Sequence, residues 1–320
     1  MKIITKTLLN TVLLLFLSII MQQNLYAQKK IPASTPANLL ENPAELVVAI
    51  GHTKVATVTI SVEKPLQEYL SKKLGRKVRV YYPETIFELM DKLESGEIHV
   101  ADFNPFGYVL ASNEDKIEVL AMRGKETGEL EMYNSCLIVN AKSSIKTKED
   151  LKKQKGNLHV SFVDAMSTSG HLVPRLYLKS LGIQTESFFK EITFSKSHIR
   201  VIEAVAQNID FIGGCSLQTL QGQIKEGKVK AEDIRVIWTS PDIPHGPVAM
   251  QKNLSESLKN ELREAYLKMY EDKVLWQIVQ DNWKSKTAIF MKGSDAAFDG
   301  LRKITNADDD LTFILNFYRD

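Results

Sequence analysis

The chain of 320 residues carries 41 Lys and Arg against 39 Asp and Glu. Two of the bases, Lys2 and Lys6, fall within residues 1–27, which hold no acid, so the remainder is formally neutral at 39 against 39. That balance excludes the basic stripe of a nucleic-acid binder, and the remaining length is enough for one large domain or two medium ones.

The chain opens on Lys2 and Lys6, an apolar run from Leu8 to Met21 and a small residue at Ala27. This is the layout of a secretory signal peptide over residues 1–27, cleaved near Ala27, which places the mature protein outside the cytoplasmic membrane. The apolar run is shorter than the roughly 20 residues of a membrane span. Residues 28–45 are polar and rich in Pro and Ala, and read as a tether.

A short strand is expected at Leu46–Ile50, followed by a polar loop at Gly51–Thr59. Within that loop Lys54 either adds charge to the pocket or is a solvated loop lysine, the second being favoured. Pro65 is expected to open a helix whose Leu66, Tyr69, Leu70 and Leu74 share a face. Strand Val78–Tyr82, helix Ile86–Leu93, strand Ile98–Phe103, helix Pro105–Ala111 and strand Ile117–Met122 complete a β-α-β-α-β-α-β order, the signature of a wound, mostly parallel sheet. A longer strand is expected over Met132–Asn140, and the alternation then restarts. Its strands fall at Leu158–Val163, Glu191–Phe194, Ile209–Gly213 and Ile234–Thr239, with helices at Thr147–Lys153, Ser169–Leu181, His198–Gln207 and Leu217–Lys225. Strand Val248–Gln251, one or two helices over Ser255–Trp283, a helix from near Asp295 and an apolar tail at 311–317 finish the chain. Cys136 and Cys215 both fall in strand-like segments, where a disulfide and a pair of buried thiols are both open readings.

The densest chemistry is in SFVDAMSTSGHLVP, Ser161–Pro174. A β-type run leads into a loop, then Ser167, Thr168, Ser169 and Gly170, then a helical rhythm through Leu172, Leu176 and Leu178. The first amides of a helix lack internal partners and sit at the positive end of its dipole, so hydroxyls added there form an oxyanion site without Lys or Arg. An ordinary Ser or Thr N-cap is the alternative. Three hydroxyls and a glycine exceed what a cap requires, which favours the anion.

Two successive α/β units followed by a helical return predict two lobes: 46–134 with 241–320, and 135–240. The chain would cross between them near Tyr133–Asn140 and Trp238–Val248. Asn104, Ser167–Ser169, His198 and Cys215–Gln218 each follow an expected strand, where wound sheets bind ligands, and would converge on the cleft. His99 and His159, within strands, read as packed or solvated side chains, and His171, in the first helical turn after the hydroxyls, leans either to the anion or away from it.

The segments STSGHLVP (Ser167–Pro174), SKSH (Ser195–His198), MYNSCLIVN (Met132–Asn140), WTSPDIPHGPV (Trp238–Val248) and IHVADFNPFGYV (Ile98–Val109) resemble those of the periplasmic substrate-binding proteins of phosphonate- and phosphite-type ABC transporters. The resemblance implies a two-lobe α/β binding protein of type II, each lobe a wound mixed sheet flanked by helices and joined by two hinge strands. It implies a monomer that captures a phosphonate, phosphite or phosphate and docks on a membrane permease. By the same resemblance Ser167, Thr168 and Ser169 hold the phosphoryl oxygens, His198 faces the ligand, and Tyr133 touches it from the hinge. Relatives that take aminoalkylphosphonates carry acids that would fall at Leu217 or Gln218 and at Gly246. None of these is acidic here, so 2-aminoethylphosphonate is expected to be disfavoured.

Asp102, beside Asn104, stands where relatives carry an aromatic. It is expected either to accept a hydrogen bond from a protonated ligand oxygen or to serve as a capping or surface acid. A hydrolytic triad of Ser167, His198 and Asp164 is the enzymatic alternative, but the hydroxyls lie in no G-x-S-x-G elbow. There is no H-E-x-x-H, Cys/His metal spacing or P-loop, so no metal or cofactor is expected. Presentation of ligand to a membrane receptor, in place of a permease, is a further reading.

Overall fold

A computed structural model describes residues 41–51 and 57–306. The expected signal peptide, residues 28–40 of the tether, Lys54 and the apolar tail at 311–317 lie outside the described residues. The strands are β1 (Glu45–Ala49), β2 (Lys77–Tyr81), β3 (Val100–Asp102), β4 (Ile117–Lys125), β5 (Met132–Tyr133), β6 (Ser135–Asn140), β7 (His159–Phe162), β8 (Glu191–Phe194), β9 (Phe211–Ser216), β10 (Ile234–Thr239), β11 (Ile243–Pro244), β12 (Val248–Gln251) and β13 (Ala288–Met291).

They form two mixed sheets and a ribbon. One sheet runs β13-β4-β12-β3-β1-β2, the other β10-β6-β9-β7-β8, and β5 pairs β11 antiparallel. In each sheet the three strands at one side are parallel, β2-β1-β3 in the first and β8-β7-β9 in the second. β1 has core on both faces, which is why Leu46, Val47, Val48 and Ala49 run without a polar break and are all buried. The chain leaves the first sheet after β4 and returns to it at β12, passing through the β5-β11 ribbon each way, which makes this a two-lobe α/β fold.

Several expectations about the elements are corrected. Met132–Asn140 is not one strand. It breaks at Asn134, whose side-chain amide donates to Ser240 O (3.2 Å) and to Asp242 Oδ1 (2.9 Å), so that β5 and β6 join different partners. Pro65 does not open its helix but lies inside Thr57–Leu74. A proline there lacks one backbone donor, and the turns on either side carry the helix through. Strand β13 was not foreseen; it pairs with β4 and completes the first sheet. The Ser255–Trp283 stretch is two helices, Glu256–Leu267 and Lys273–Trp283.

Cys136 and Cys215 face each other across β6 and β9 as free thiols, both fully buried, with their sulfurs 3.5 Å apart. Met166, Leu172 and Val173, from the second lobe, pack into the same apolar cluster as Phe103 and Phe106 of the first, so the lobes share core where the site lies.

Candidate functional site

The loop after β7 leads into helix in two steps. A turn of π-helix covers Thr168–Leu172, and an α-helix continues over Val173–Ser180. Sequence periodicity expected a plain helix from Ser169. The wider turn shows instead in its backbone bonding, where the Val173 amide donates to Thr168 O. Turns of this type are often found at functional positions.

Ser167 caps the run, its Oγ accepting from the Gly170 amide at 3.1 Å. The simple capping reading therefore holds for Ser167. Gly170 is required because a Cβ there would lie 2.7 Å from Ser167 Oγ and 2.3 Å from the Val163 side chain. Ser167, Thr168 and Ser169 are 9%, 2% and 3% exposed, so none is turned to bulk solvent.

The amides of Thr168 and Ser169 donate to no acceptor among the described residues. These are the orphan donors that every helix start leaves. The Thr168 and Ser169 hydroxyls hydrogen-bond the Tyr133 phenol. Ser167 and Thr168 use their oxygens as acceptors, Thr168 Oγ1 from the Phe106 amide at 3.0 Å. Ser135 Oγ donates to Ser169 O at 2.7 Å and fixes this turn against β6.

Across the cleft, Asn104 caps the helix Pro105–Ser112. Its Oδ1 accepts from the Gly107 amide (2.6 Å), and its Nδ2 donates to Met166 O (3.2 Å) in the opposite lobe. The Thr168–Phe106 and Asn104–Met166 bonds thus tie two helix starts together, one from each sheet. Tyr133 lies against the Thr168 and Ser169 hydroxyls, and burial pushes its phenol up to about 12. Its ring stacks on His245, centroids 4.7 Å apart.

His198 begins the helix His198–Gln207, just past β8. Its Nδ1 accepts from the Ser216 amide at 3.0 Å, which places the ring proton on Nε2. Burial lowers its pKa to about 4, so the ring is a neutral donor at physiological pH. The residues after β7, β8 and β9 therefore converge at one edge of the second sheet. No hydrogen bond among the described residues links Ser167, His198 and Asp164. Asp164 Oδ1 instead accepts from the Met166 amide at 2.8 Å.

Three of the sequence-predicted residues, Asp102, Asn104 and Tyr133, line a cavity of about 260 Å³ together with Arg123, His245 and Gly246. Pockets for drug-sized ligands run to roughly 300–1,000 Å³, so this space suits a small ion with a short substituent. The hydroxyl trio and His198 are not among its lining; Tyr133 connects the two groups. Arg123 and His245 were missed as site residues. Arg123 reaches the cavity because it lies two residues from Ala121 on β4, on the face where Asp102 and Val248 pair across β3 and β12. Its guanidinium pairs with Glu131, donates to Trp283 O at 3.1 Å and covers the Trp283 ring. His245 forms part of the cavity wall, and burial lowers it to about 3.

The two positions where relatives would carry acids have local explanations. Gln218 is spent on the hinge: its Oε1 accepts from the Asn134 amide at 3.0 Å, and its Nε2 donates to Asn134 Oδ1 at 3.2 Å. At Gly246 a Cβ would fall 1.7 Å from Phe103 O, so no side chain fits there.

Two sheets, two crossings and facing helix starts define a solute-binding protein of the two-lobe periplasmic type. Residues 55–300 match the family described as "ABC transporter, phosphonate, periplasmic substrate-binding protein", and the chain belongs to that family. It is 28% identical over 203 residues to the phosphonates-binding periplasmic protein of Escherichia coli K12, covering 63% of this chain and 60% of that one. It is 26% identical over 193 residues to the probable ABC transporter phosphite binding protein PhnD1 of Prochlorococcus marinus MIT 9301, covering 58% and 63%. The matches thus span about three fifths of these relatives' own lengths. The solved structure of that PhnD1 with methylphosphonate superposes with a TM-score of 0.68 at 22% identity, over 83% of this chain and 98% of the other, a likeness of fold. No helix among the described residues is long and apolar enough to cross a membrane.

Proposed function

We propose that this protein captures a small phosphorus oxyanion (phosphonate, phosphite or phosphate) in the cleft between its lobes, outside the cytoplasmic membrane, and delivers it to the permease of an ABC importer. The lobes are 46–134 with 241–320, and 135–240, and the protein works as a monomer without metal or cofactor. The observation that carries this reading is the buried start of the Thr168–Leu172 turn. Two unengaged amides meet three buried hydroxyls there at the junction of the lobes. Neutral donors of this kind stabilise an anion without a permanent counter-charge. His198 Nε2–H adds a neutral donor from the neighbouring strand end, and Tyr133 and Asn104 close the site from the hinge and the first lobe. Gln218 and Gly246 leave a ligand ammonium without a carboxylate at the family's positions, so 2-aminoethylphosphonate binds weakly.

A thermal-shift panel of phosphate, phosphite, methylphosphonate, 2-aminoethylphosphonate and sulfate tests the proposal. Ligand at a hundredfold excess over its Kd stabilises the fold by about 2.7 kcal/mol. At least one of the first three shifts the transition, and the Ser167→Ala/Thr168→Ala double variant loses that shift. No shift with any phosphorus anion, or a full shift in the double variant, refutes the site.

A further inference from the structure

Asp102 ends β3, and its carboxyl makes no hydrogen bond or ion pair with any described residue. It faces the 260 Å³ cavity, beside Asn104 and Tyr133, and also borders an apolar cavity of about 280 Å³ lined by Ile50, Leu66, Tyr266 and Trp283. Among the described residues, the titratable groups around it are Arg123 from β4, Tyr133 from β5, His245 from the segment before β12 and Tyr266 from the helix Glu256–Leu267. Both tyrosines and the histidine are held neutral by burial. Arg123 is charged but already paired with Glu131. With no donor among the described residues, this carboxyl is open to a donor from the ligand.

We propose that Asp102 selects among tetrahedral oxyanions by sharing a single proton with the bound anion, a role that rests on the anion held at the Ser167–Ser169 helix start extending past Tyr133, which touches both groups, into this cavity. Two ionised oxygens face to face repel and leave both acceptors unpaired, whereas one proton between them makes a charge-assisted hydrogen bond. A hydrogenphosphonate or hydrogenphosphite brings that proton as its P–OH. Sulfate has none near neutrality and binds only with a proton drawn from elsewhere. Burial supports the arrangement by raising the Asp102 carboxyl to about 7, with Arg123 opposing it more weakly. Asp102 can therefore hold the proton itself at neutral pH and loses it above that range.

Proton linkage separates this role from simple lining of the cavity. At about pH 8.5 Asp102 is ionised and a phosphonate is largely a dianion, so forming the complex takes up about one proton from solution. Calorimetric titration with methylphosphonate, in two buffers of different ionisation heat, measures that uptake directly. Wild-type protein takes up about one proton, Asp102→Glu keeps the uptake, and Asp102→Asn binds with almost none. In the same variant sulfate affinity no longer falls between about pH 6.5 and 8.5, where the wild type loses at least about tenfold. Methylphosphonate binding without proton uptake by the wild type overturns the inference, as does undiminished uptake in Asp102→Asn. The wild-type proton count decides the matter even if the asparagine variant does not fold. Failure of methylphosphonate, phosphite and phosphate alike to bind the wild type overturns the site reading beneath it.

Discussion

Lowering the pH from 7.5 to 5 unloads stability from four histidines at once. His99, His171 and His198 are held near 4 and His245 near 3, in each case chiefly by burial. A histidine whose folded pKa lies below its unfolded value of about 6.5 binds more protons unfolded than folded. Its stabilising effect is therefore complete above 6.5 and is lost as pH falls toward 4. At pH 5 each of the four gives up about 2 kcal/mol, about 8 in all. Asp102 works in the opposite sense. Its folded value near 7 lies above the unfolded carboxylate, so acid relieves its burial and returns about 2.5 kcal/mol over the same range. The net loss is about 5 kcal/mol, comparable with the entire stability of many domains. Urea denaturation at pH 7.5 and 5, followed by tryptophan fluorescence, measures it.

His99 supplies an internal control, because its Nδ1 accepts from the Val47 amide at 3.0 Å and the Asn104-like geometry of an asparagine oxygen can take that bond without titrating. His99→Asn should shrink the acid-induced loss by about 2 kcal/mol, whatever it does to stability at pH 7.5. A wild-type loss below about 2 kcal/mol, or an unchanged loss in the variant, would show that these rings are not held neutral as described.

Two further outcomes follow from local geometry. Gly246→Ala drives a methyl into Phe103 O, so the wall of the cavity must shift; it should lower the melting temperature by several degrees and weaken anion binding together, read by thermal shift with and without phosphite. Asn104→Ala removes both the cap on Pro105–Ser112 and the bond to Met166 O. It should cost about 1–2 kcal/mol in denaturant titration and lower phosphite affinity, and unchanged affinity would place Asn104 outside the site.

The wound order of the sheets was legible because buried parallel strands and amphipathic helices each leave a local pattern, as in LVVA of β1 and the stripe of His198–Gln207. The hydroxyl turn was legible too, since a strand, a Ser/Thr cluster and a helix are contiguous there. The π-turn was not, because it depends on which carbonyl a later amide chooses, and the residues themselves suit either turn. Arg123 and His245 escaped notice for a different reason. They lie 122 residues apart on separate strands or their flanks and meet only through the β3-β12-β4 register. The break at Asn134 was hidden because its cause, bonds to Ser240 and Asp242, is equally distant along the chain.

The bare backbone contact at Gly246 has a consequence for how this scaffold could change its cargo. Wherever main chain lies against main chain, mutation has no room to install a functional group. A lineage or an engineer seeking a cationic ligand would have to build the counter-charge away from Gly246, leaving the Phe103 carbonyl as a fixed floor.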